Sequence, residues 1–360
     1  MALKVFDGYD HYNTATDWRT RSGWLQYQQP STNTTPIAFP TGRDGYGKCI
    51  QFQQSVTENY FVFGDRNQEG FLGFALQQQT AGCGTIIRLY DSVTELVNLY
   101  ILMDPVNYAV VVYRGPPGDS GYALLGYSAN NVWFGNTWNF FEVGWNISGS
   151  GSIEVRINNV TVMNLTGVNT NYTRTSPTIL TANAWVDMMS IKGTNGAYLV
   201  DDFYYCDTVA GAGTYPCNTF LGDVKVDTLF AIGNNAVQWT PLTGSNYQMI
   251  DETAMDSDTS YNYSATTGQE DTFNFSALES KVITVLGVQL TGAWKKDDAG
   301  SRVIKQALKS GATEVYGADH SIPSTTYAYF TDIWVVNPDT SLSWTVTDLN
   351  SIIAGYNLVS

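Results

Sequence analysis

Hydrophobic and polar positions alternate with a period of two along residues 138–165, WNFFEVGWNISGSGSIEVRINNVTVMNL. Phe141, Val143, Trp145 and Ile147 form one apolar set, and Ile153, Val155 and Ile157 form another after a Ser-Gly-Ser-Gly-Ser break. This is the signature of half-buried antiparallel strands joined by a flexible turn. Asn158-Asn159 then separates Ile157 from Val160 and Val162, and asparagine tolerates the positive φ that a two-residue type I′ hairpin requires. The stretch predicts a three-stranded meander with one apolar face. A second sheet must cover that face, so a β-sandwich is the expected architecture.

Shorter strands are predicted before it at residues 60–63, 70–76, 84–89, 97–102 and 108–113, each bounded by Gly, Pro, Asp or Asn. Residues 3–12, LKVFDGYDHY, read as an opening strand and turn. GRDGYGKCIQF, from Gly42, reads as a glycine turn entering a strand; it satisfies neither GxxxxGK[ST] nor GxGxxG and is no phosphate loop. After the meander, strands are expected at 178–181, 185–192 and 197–207, the last with the acidic pair Asp201-Asp202 near its start. Residues 208–219, TVAGAGTYPCNT, read as an uncharged Gly-rich linker. The chain is therefore expected to divide into domains at 1–209 and 220–360. The second has strands predicted at 220–230, 246–252, 271–275, 281–292, 302–308 and 327–336, and a short helix capped by Thr347 and ended by Gly355.

FDGYDHY at the start, GRDGYGKC before a strand, the 138–165 meander and the closing YLVDDFYYCD resemble the layout of concanavalin-like (laminin-G type) jelly rolls. More specifically, they resemble structural proteins of tailed bacteriophages whose N-termini begin with a DGFDHY-type run. The resemblance covers residues 1–210 and extends loosely into 220–360. It implies an all-β chain, with an N-terminal jelly-roll β-sandwich and a smaller C-terminal β-sandwich with one short helix. It also implies a virion component made in the host cytoplasm, in contact with other virion proteins, homo-oligomeric, with a lectin-like domain able to hold host-surface glycans.

At 360 residues, and roughly 150 per domain, two domains are expected. The net charge of −15 repels phosphate backbones, so no nucleic-acid partner is expected; Lys295-Lys296 is followed at once by Asp297-Asp298. The opening residues lack a signal-peptide pattern and no run of about 18 apolar residues occurs, so neither export nor a membrane span is expected. The four cysteines form no CxxC pair; reduced thiols are the default, with a Cys206–Cys217 bridge the alternative in an oxidising setting.

Candidate chemistry is sparse. The two histidines, His11 and His320, fall in different predicted domains, no GxSxG elbow presents a serine, and no local His cluster could hold a catalytic zinc. Glu142 and Glu154 offer a carboxylate pair for glycoside hydrolysis, but on different strands and without the ExDxxE spacing of hydrolases on this fold. Asp256, Asp258, Ser260 and Asn262 alternate as calcium ligands do, yet the loop lacks the Gly and Glu of a calcium loop. No catalytic residue, cofactor or metal site is therefore assigned, and the chain is expected not to be an enzyme. Tyr9, Tyr12, Tyr46, Tyr122 and Tyr127, at predicted turns, are the candidates for stacking on sugars or docking on protein. The leading expectation is a structural virion protein mediating assembly or attachment, the alternatives a glycan-binding adhesin and, further off, a polysaccharide depolymerase.

Overall fold

The computed structural model describes residues 3–14, 18, 37–52, 58–79, 82–174, 184–194, 196–208, 219–278 and 283–360. The strand expected at 178–181, nearly all of the 208–219 linker and Cys217 lie outside the described residues. The described part is nearly all β, in antiparallel sheets. It divides into two compact units, the first running essentially to Val226 and the second from Asp227.

The first unit is a jelly-roll sandwich. Its strands are β1 (Leu3–Asp7), β2 (Ile37–Ala38), β3 (Ile50–Phe52), β4 (Asn59–Asn67), β5 (Glu69–Gln78), β6 (Thr85–Asp91) and β7 (Leu96–Asp104). There follow β8 (Ala109–Arg114), β9 (Ala123–Tyr127), β10 (Asn139–Asn146), β11 (Gly151–Ile157), β12 (Val160–Val168), β13 (Val186–Gly193) and β14 (Tyr198–Asp207). One sheet has eight strands in the order β12-β11-β10-β5-β14-β3-β2, with β1 also on β14; the other has six, in the order β4-β13-β6-β7-β8-β9.

The meander forms as its alternation predicts. Phe141, Val143 and Trp145 on β10 stand opposite Ile157, Val155 and Ile153 on β11, all buried. Asn158 and Asn159 adopt φ of 52° and 67°, and the Asn158 side chain accepts the Phe140 N–H at 2.7 Å. Their apolar face meets the six-stranded sheet in an aromatic core. Phe61 stacks on Phe203 at 5.8 Å, Phe63 on Tyr205 at 4.1 Å, and Trp18 meets both Phe52 and Phe61 edge-on. Burying one such ring contributes roughly 1.5–3 kcal/mol.

FDGYDHY and YLVDDFYYCD lie side by side, because β1 pairs with β14: Phe6 is opposite Tyr204 and Asp7 opposite Phe203. The register of β14 slips between Asp201 and Tyr204, with Asp202 at φ 51°, so both acids turn to Arg43. The Asp201 carboxylate accepts the Arg43 backbone N–H at 2.8 Å, and Asp202 pairs with its Nε at 2.9 Å.

Residues 220–230, expected to open the second domain as a strand, form none. Within 220–226, polar backbone groups go to side chains of the first unit instead of a ladder. Gly222 N–H donates to Glu142, Asp223 N–H to Asn159 and Val226 N–H to Asp202, while the Val224 carbonyl accepts from Arg43. Phe220 meets Phe71 at 5.1 Å and the Arg156 guanidinium at 4.1 Å.

The second unit contains β15 (Ala231–Ala236), β16 (Thr240–Pro241), β17 (Asn262–Tyr263), β18 (Glu270–Phe275), β19 (Val288–Trp294), β20 (Val303–Ser310), β21 (Thr313–Tyr316), β22 (His320–Ser321), β23 (Ala328–Trp334), a one-turn helix α1 (Val346–Leu349) and β24 (Ile353–Leu358). Its main sheet runs β15-β18-β24-β20-β21 with β22 on β20, and β19 pairs with β23. Leu308, Trp344, Leu349, Ile352 and Ala354 form one core cluster.

Two local expectations are corrected in this unit. Residues 246–249 make a 3₁₀ turn closed by a Ser245/Gln248 capping box, so no strand forms at 246–252. The helix cap is Thr345, whose hydroxyl accepts the Asp348 N–H at 3.2 Å, and Gly355 lies inside β24. Gly355 is there for space: a Cβ would sit 1.8 Å from the Asp271 carbonyl oxygen.

Candidate functional site: a tyrosine row on the six-stranded sheet

Alternation within the six-stranded sheet sends two different residue sets to its two faces. Phe61, Met189, Ile191, Ile87, Leu89, Leu99, Ile101, Val110 and Val112 are fully buried against the eight-stranded sheet. Their neighbours face away, and strand register sets six of them in one row. Tyr60 of β4 is opposite Ser190 of β13, Ser190 opposite Arg88 of β6, Arg88 opposite Tyr100 of β7, Tyr100 opposite Tyr113 of β8, and Tyr113 opposite Leu124 of β9. Every strand of the sheet contributes one residue.

The β4–β13–β6 half is a hydrogen-bonded cluster around Glu58. Its carboxylate accepts from the Tyr90 hydroxyl at 2.6 Å, from Arg88 Nη1 at 2.8 and 2.7 Å, and from the Ser190 hydroxyl. Tyr60 and Tyr90 rings meet at 5.6 Å, and the Arg88 guanidinium lies 5.3 Å from the Tyr100 ring centre. Burial, then the Glu58 charge, pushes the Tyr60 phenol up to about 12, and raises Tyr90 further still. For Arg88, burial opposes the charge, but Tyr90 and Glu58 outweigh it and its pKa is raised. At neutral pH these groups are fixed donors around one carboxylate.

The β7–β8–β9 half is aromatic and more open. Tyr100 and Tyr113 meet edge-on at 6.0 Å, and Tyr113 is 6.4 Å from Tyr122. Tyr122, Leu124 and Tyr127 are 47%, 49% and 60% exposed.

The five tyrosines singled out from the sequence divide. Tyr122 immediately precedes β9 and Tyr127 is its last residue, at the open end of the row. Tyr46 is exposed elsewhere, under the Lys225 ammonium at 4.9 Å. Tyr9 and Tyr12 are corrected: both are fully buried, and neither presents a ring for stacking. Tyr9, at φ 61°, has its phenol pKa raised by burial and by Asp7, Asp201 and Asp202.

The other candidates are tied into structure. Glu142 is buried, accepting the Tyr204 hydroxyl at 2.6 Å and the Gly222 N–H at 2.8 Å, while Glu154 pairs with Arg156 at 2.8 Å. His11 packs on Tyr12; His320 bonds Asp332 at 2.8 Å and stacks on Phe330. In the acidic loop, Glu252 and Asp256 accept from Ser260, and Asp258 is held by Lys295 and Tyr327. Lys296 donates to the Gly300 carbonyl. Cys49, Cys83 and Cys206 are buried.

Sequence reasoning missed Glu58, Tyr60, Arg88, Tyr90, Tyr100, Tyr113 and Ser190. The available signal was a polar or aromatic residue at every second position of otherwise apolar runs such as TIIRLYD.

No protein-family model matches the chain, and no curated protein matches it in sequence. Among solved structures it is similar to the endo-beta-1,4-glucuronan lyase of the fungus Trichoderma reesei, at 11% identity and TM-score 0.37 over 57% of this chain and 96% of that one. It is similar to the beta-glucanase of Bacillus licheniformis, at 10% identity and TM-score 0.35 over 57% and 98%. A third is a carbohydrate binding module from Bacillus subtilis, at 8% identity and TM-score 0.31 over 47% and 92%. These likenesses concern the fold. The expectation that the chain is not an enzyme is not kept: the structures it is similar to include a lyase and a glucanase as well as a binding module.

Proposed function

We propose that the first unit binds carbohydrate on the outward row of its six-stranded sheet. The observation that carries this is the register that sets Arg88, Tyr100, Tyr113 and Leu124 in line across β6 to β9, beyond the buried Tyr60 and Ser190 of the same row. A sugar ring has an apolar face and an equatorial rim of hydroxyls. The row matches both, with phenol rings to stack on at one end and the partly exposed Glu58–Arg88 pair to hydrogen-bond at the other. A glycan array with the full chain, followed by calorimetry on the best ligand, tests the reading. Tyr100→Ala and Tyr113→Ala are expected to weaken binding by about threefold to tenfold each, the worth of one aromatic contact. Unchanged affinity in both folded variants would discard it.

The FDGYDHY resemblance supports a second, separable reading: many copies of this chain carried on a tailed-phage particle, in contact with other virion proteins, so that the glycan-binding face serves attachment. Mass spectrometry of purified particles tests it, and absence of the polypeptide would remove it.

A further inference from the structure

The two halves of the row differ in chemistry, and that difference bears on what kind of glycan it takes. A site for one terminal sugar would concentrate its aromatic and hydrogen-bonding groups around a single ring. Here those that are not buried are spread over four strands, from Arg88 on β6 to Leu124 on β9. At roughly 4.8 Å between neighbouring strands that part of the row is about 14 Å long, the span of about three pyranose rings. At the β4–β13–β6 end Tyr60, Ser190 and Tyr90 are buried, and the surface is made by Glu58 and Arg88, whose side chains are 15% and 21% exposed. The β9 end is open and offers only ring faces and Leu124.

Charge narrows the class. Arg88, at the middle of the row, is neutralised by Glu58 through both carboxylate oxygens. Lys192, opposite Ile86, stands in the next register row and not in this one. The centre of the row therefore presents hydrogen-bonding groups without net charge, on a chain whose overall charge is −15. An ionised sugar acid placed there would surrender its hydration and meet no uncompensated cation.

We infer that the ligand of this face is a linear, uncharged glycan lying across the strands, held beside the Glu58–Arg88 pair at one end and stacked on Tyr100, Tyr113 and Tyr122 toward the other. The inference rests on the reading of this face as the carbohydrate-binding surface. It makes Tyr122 a residue that sets how many sugars are held. Glu58 is a positioning residue that fixes Arg88 over Tyr100.

Calorimetric titration of the full chain with cello-, malto-, xylo- and manno-oligosaccharides, from disaccharide to hexasaccharide, tests it beside oligogalacturonates of the same lengths. For the uncharged series that binds, affinity should climb about threefold to tenfold for each ring that gains a stacking partner. It should level off near the trisaccharide, and the uronate series should bind more weakly at every length. Tyr122→Ala should bring the plateau to a shorter oligomer. Glu58→Gln should lower affinity and raise the relative affinity for uronates, because Arg88 is then uncompensated; a merely structural role for Glu58 would not shift that preference. Equal affinity for disaccharide and hexasaccharide, lost in Tyr100→Ala, would overturn the linear-polymer inference and leave the binding face standing. Uronates binding as well as uncharged oligomers would overturn the charge assignment. Binding that survives both Tyr100→Ala and Tyr113→Ala would overturn the underlying reading itself.

Discussion

Glu142 stands on β10 with no exposed surface, yet the β10–β11 ladder around it runs without a register shift. One carboxylate oxygen accepts both the Tyr204 hydroxyl and the Gly222 N–H, and Tyr204 in turn accepts the Leu221 N–H at 3.1 Å. The residue thus pins the 220–226 segment to the eight-stranded sheet. Burial raises its pKa above the ordinary carboxylate value, and the donors Tyr204 and Gly222 and the charge of Arg156 only partly offset this; Asp223 adds to it. The sign follows from linkage. The folded state takes up a proton at Glu142 more readily than the unfolded chain, so the stabilising contribution is fully present below the ordinary glutamate range and is lost as pH rises through the raised value. Glu142→Gln keeps an acceptor for both donors and removes the charge. Urea unfolding from pH 4 to pH 8 should show the variant gaining on the wild type with rising pH and then running parallel to it. A variant that loses ground to the wild type as pH rises would contradict the buried, ionising carboxylate.

At the scale of elements, alternation was legible wherever one face of a strand met a core, as in β10 and β11, where every second residue is apolar and buried. It misled at 220–230, where Val224 and Val226 alternate with polar residues as a strand's would, but the hydrogen-bonding partners are Arg43, Asn159, Glu142 and Asp202 from distant positions. Nothing local encodes those partners. The site was half hidden for the same reason. Tyr122 and Tyr127 announce themselves beside turns, whereas Tyr60, Arg88, Tyr100 and Tyr113 are single outward residues on four strands that only register brings together. Gly355 shows the limit in its sharpest form: it reads as a helix stop, and β24 instead uses it to pass close to β18. Gly355→Ala should therefore destabilise the second unit by about 3 kcal/mol or more, because backbone and not a pliable side chain stands in the way of the new methyl. Thermal unfolding followed by tryptophan fluorescence measures it, and a loss below about 1 kcal/mol would mean that β18 and β24 can part to admit the group.

Across the whole molecule, phenols buried in contact with acids recur in both units. Tyr204 touches Glu142, Tyr60 and Tyr90 surround Glu58, Tyr9 lies among Asp7, Asp201 and Asp202, and in the second unit Tyr356 meets Asp271. In each the pKa is raised, by burial first and by the neighbouring carboxylate second. An ionised phenol at any of these places would be a buried charge facing a like charge, so the folded chain resists losing those protons while the unfolded chain gives them up near the ordinary value of 10.0. Linkage then fixes the direction: the contribution to stability is complete below pH 10 and is lost as pH climbs toward the raised values. Because each of these phenols is shielded by its fold, ionisation and unfolding should arrive together. In an alkaline titration, phenolate absorbance from the buried set should stay silent to beyond pH 10. It should then appear in a steep step, coincident with the loss of near-ultraviolet circular dichroism. Tyr204→Phe should shrink that step by one phenol and cost about 1–3 kcal/mol at neutral pH, since Glu142 and the Leu221 N–H each lose a buried partner. Smooth titration of all 23 tyrosines near the ordinary value, with the circular dichroism unchanged, would mean that these hydroxyls are reached by solvent and that the carboxylates beside them are not enclosed.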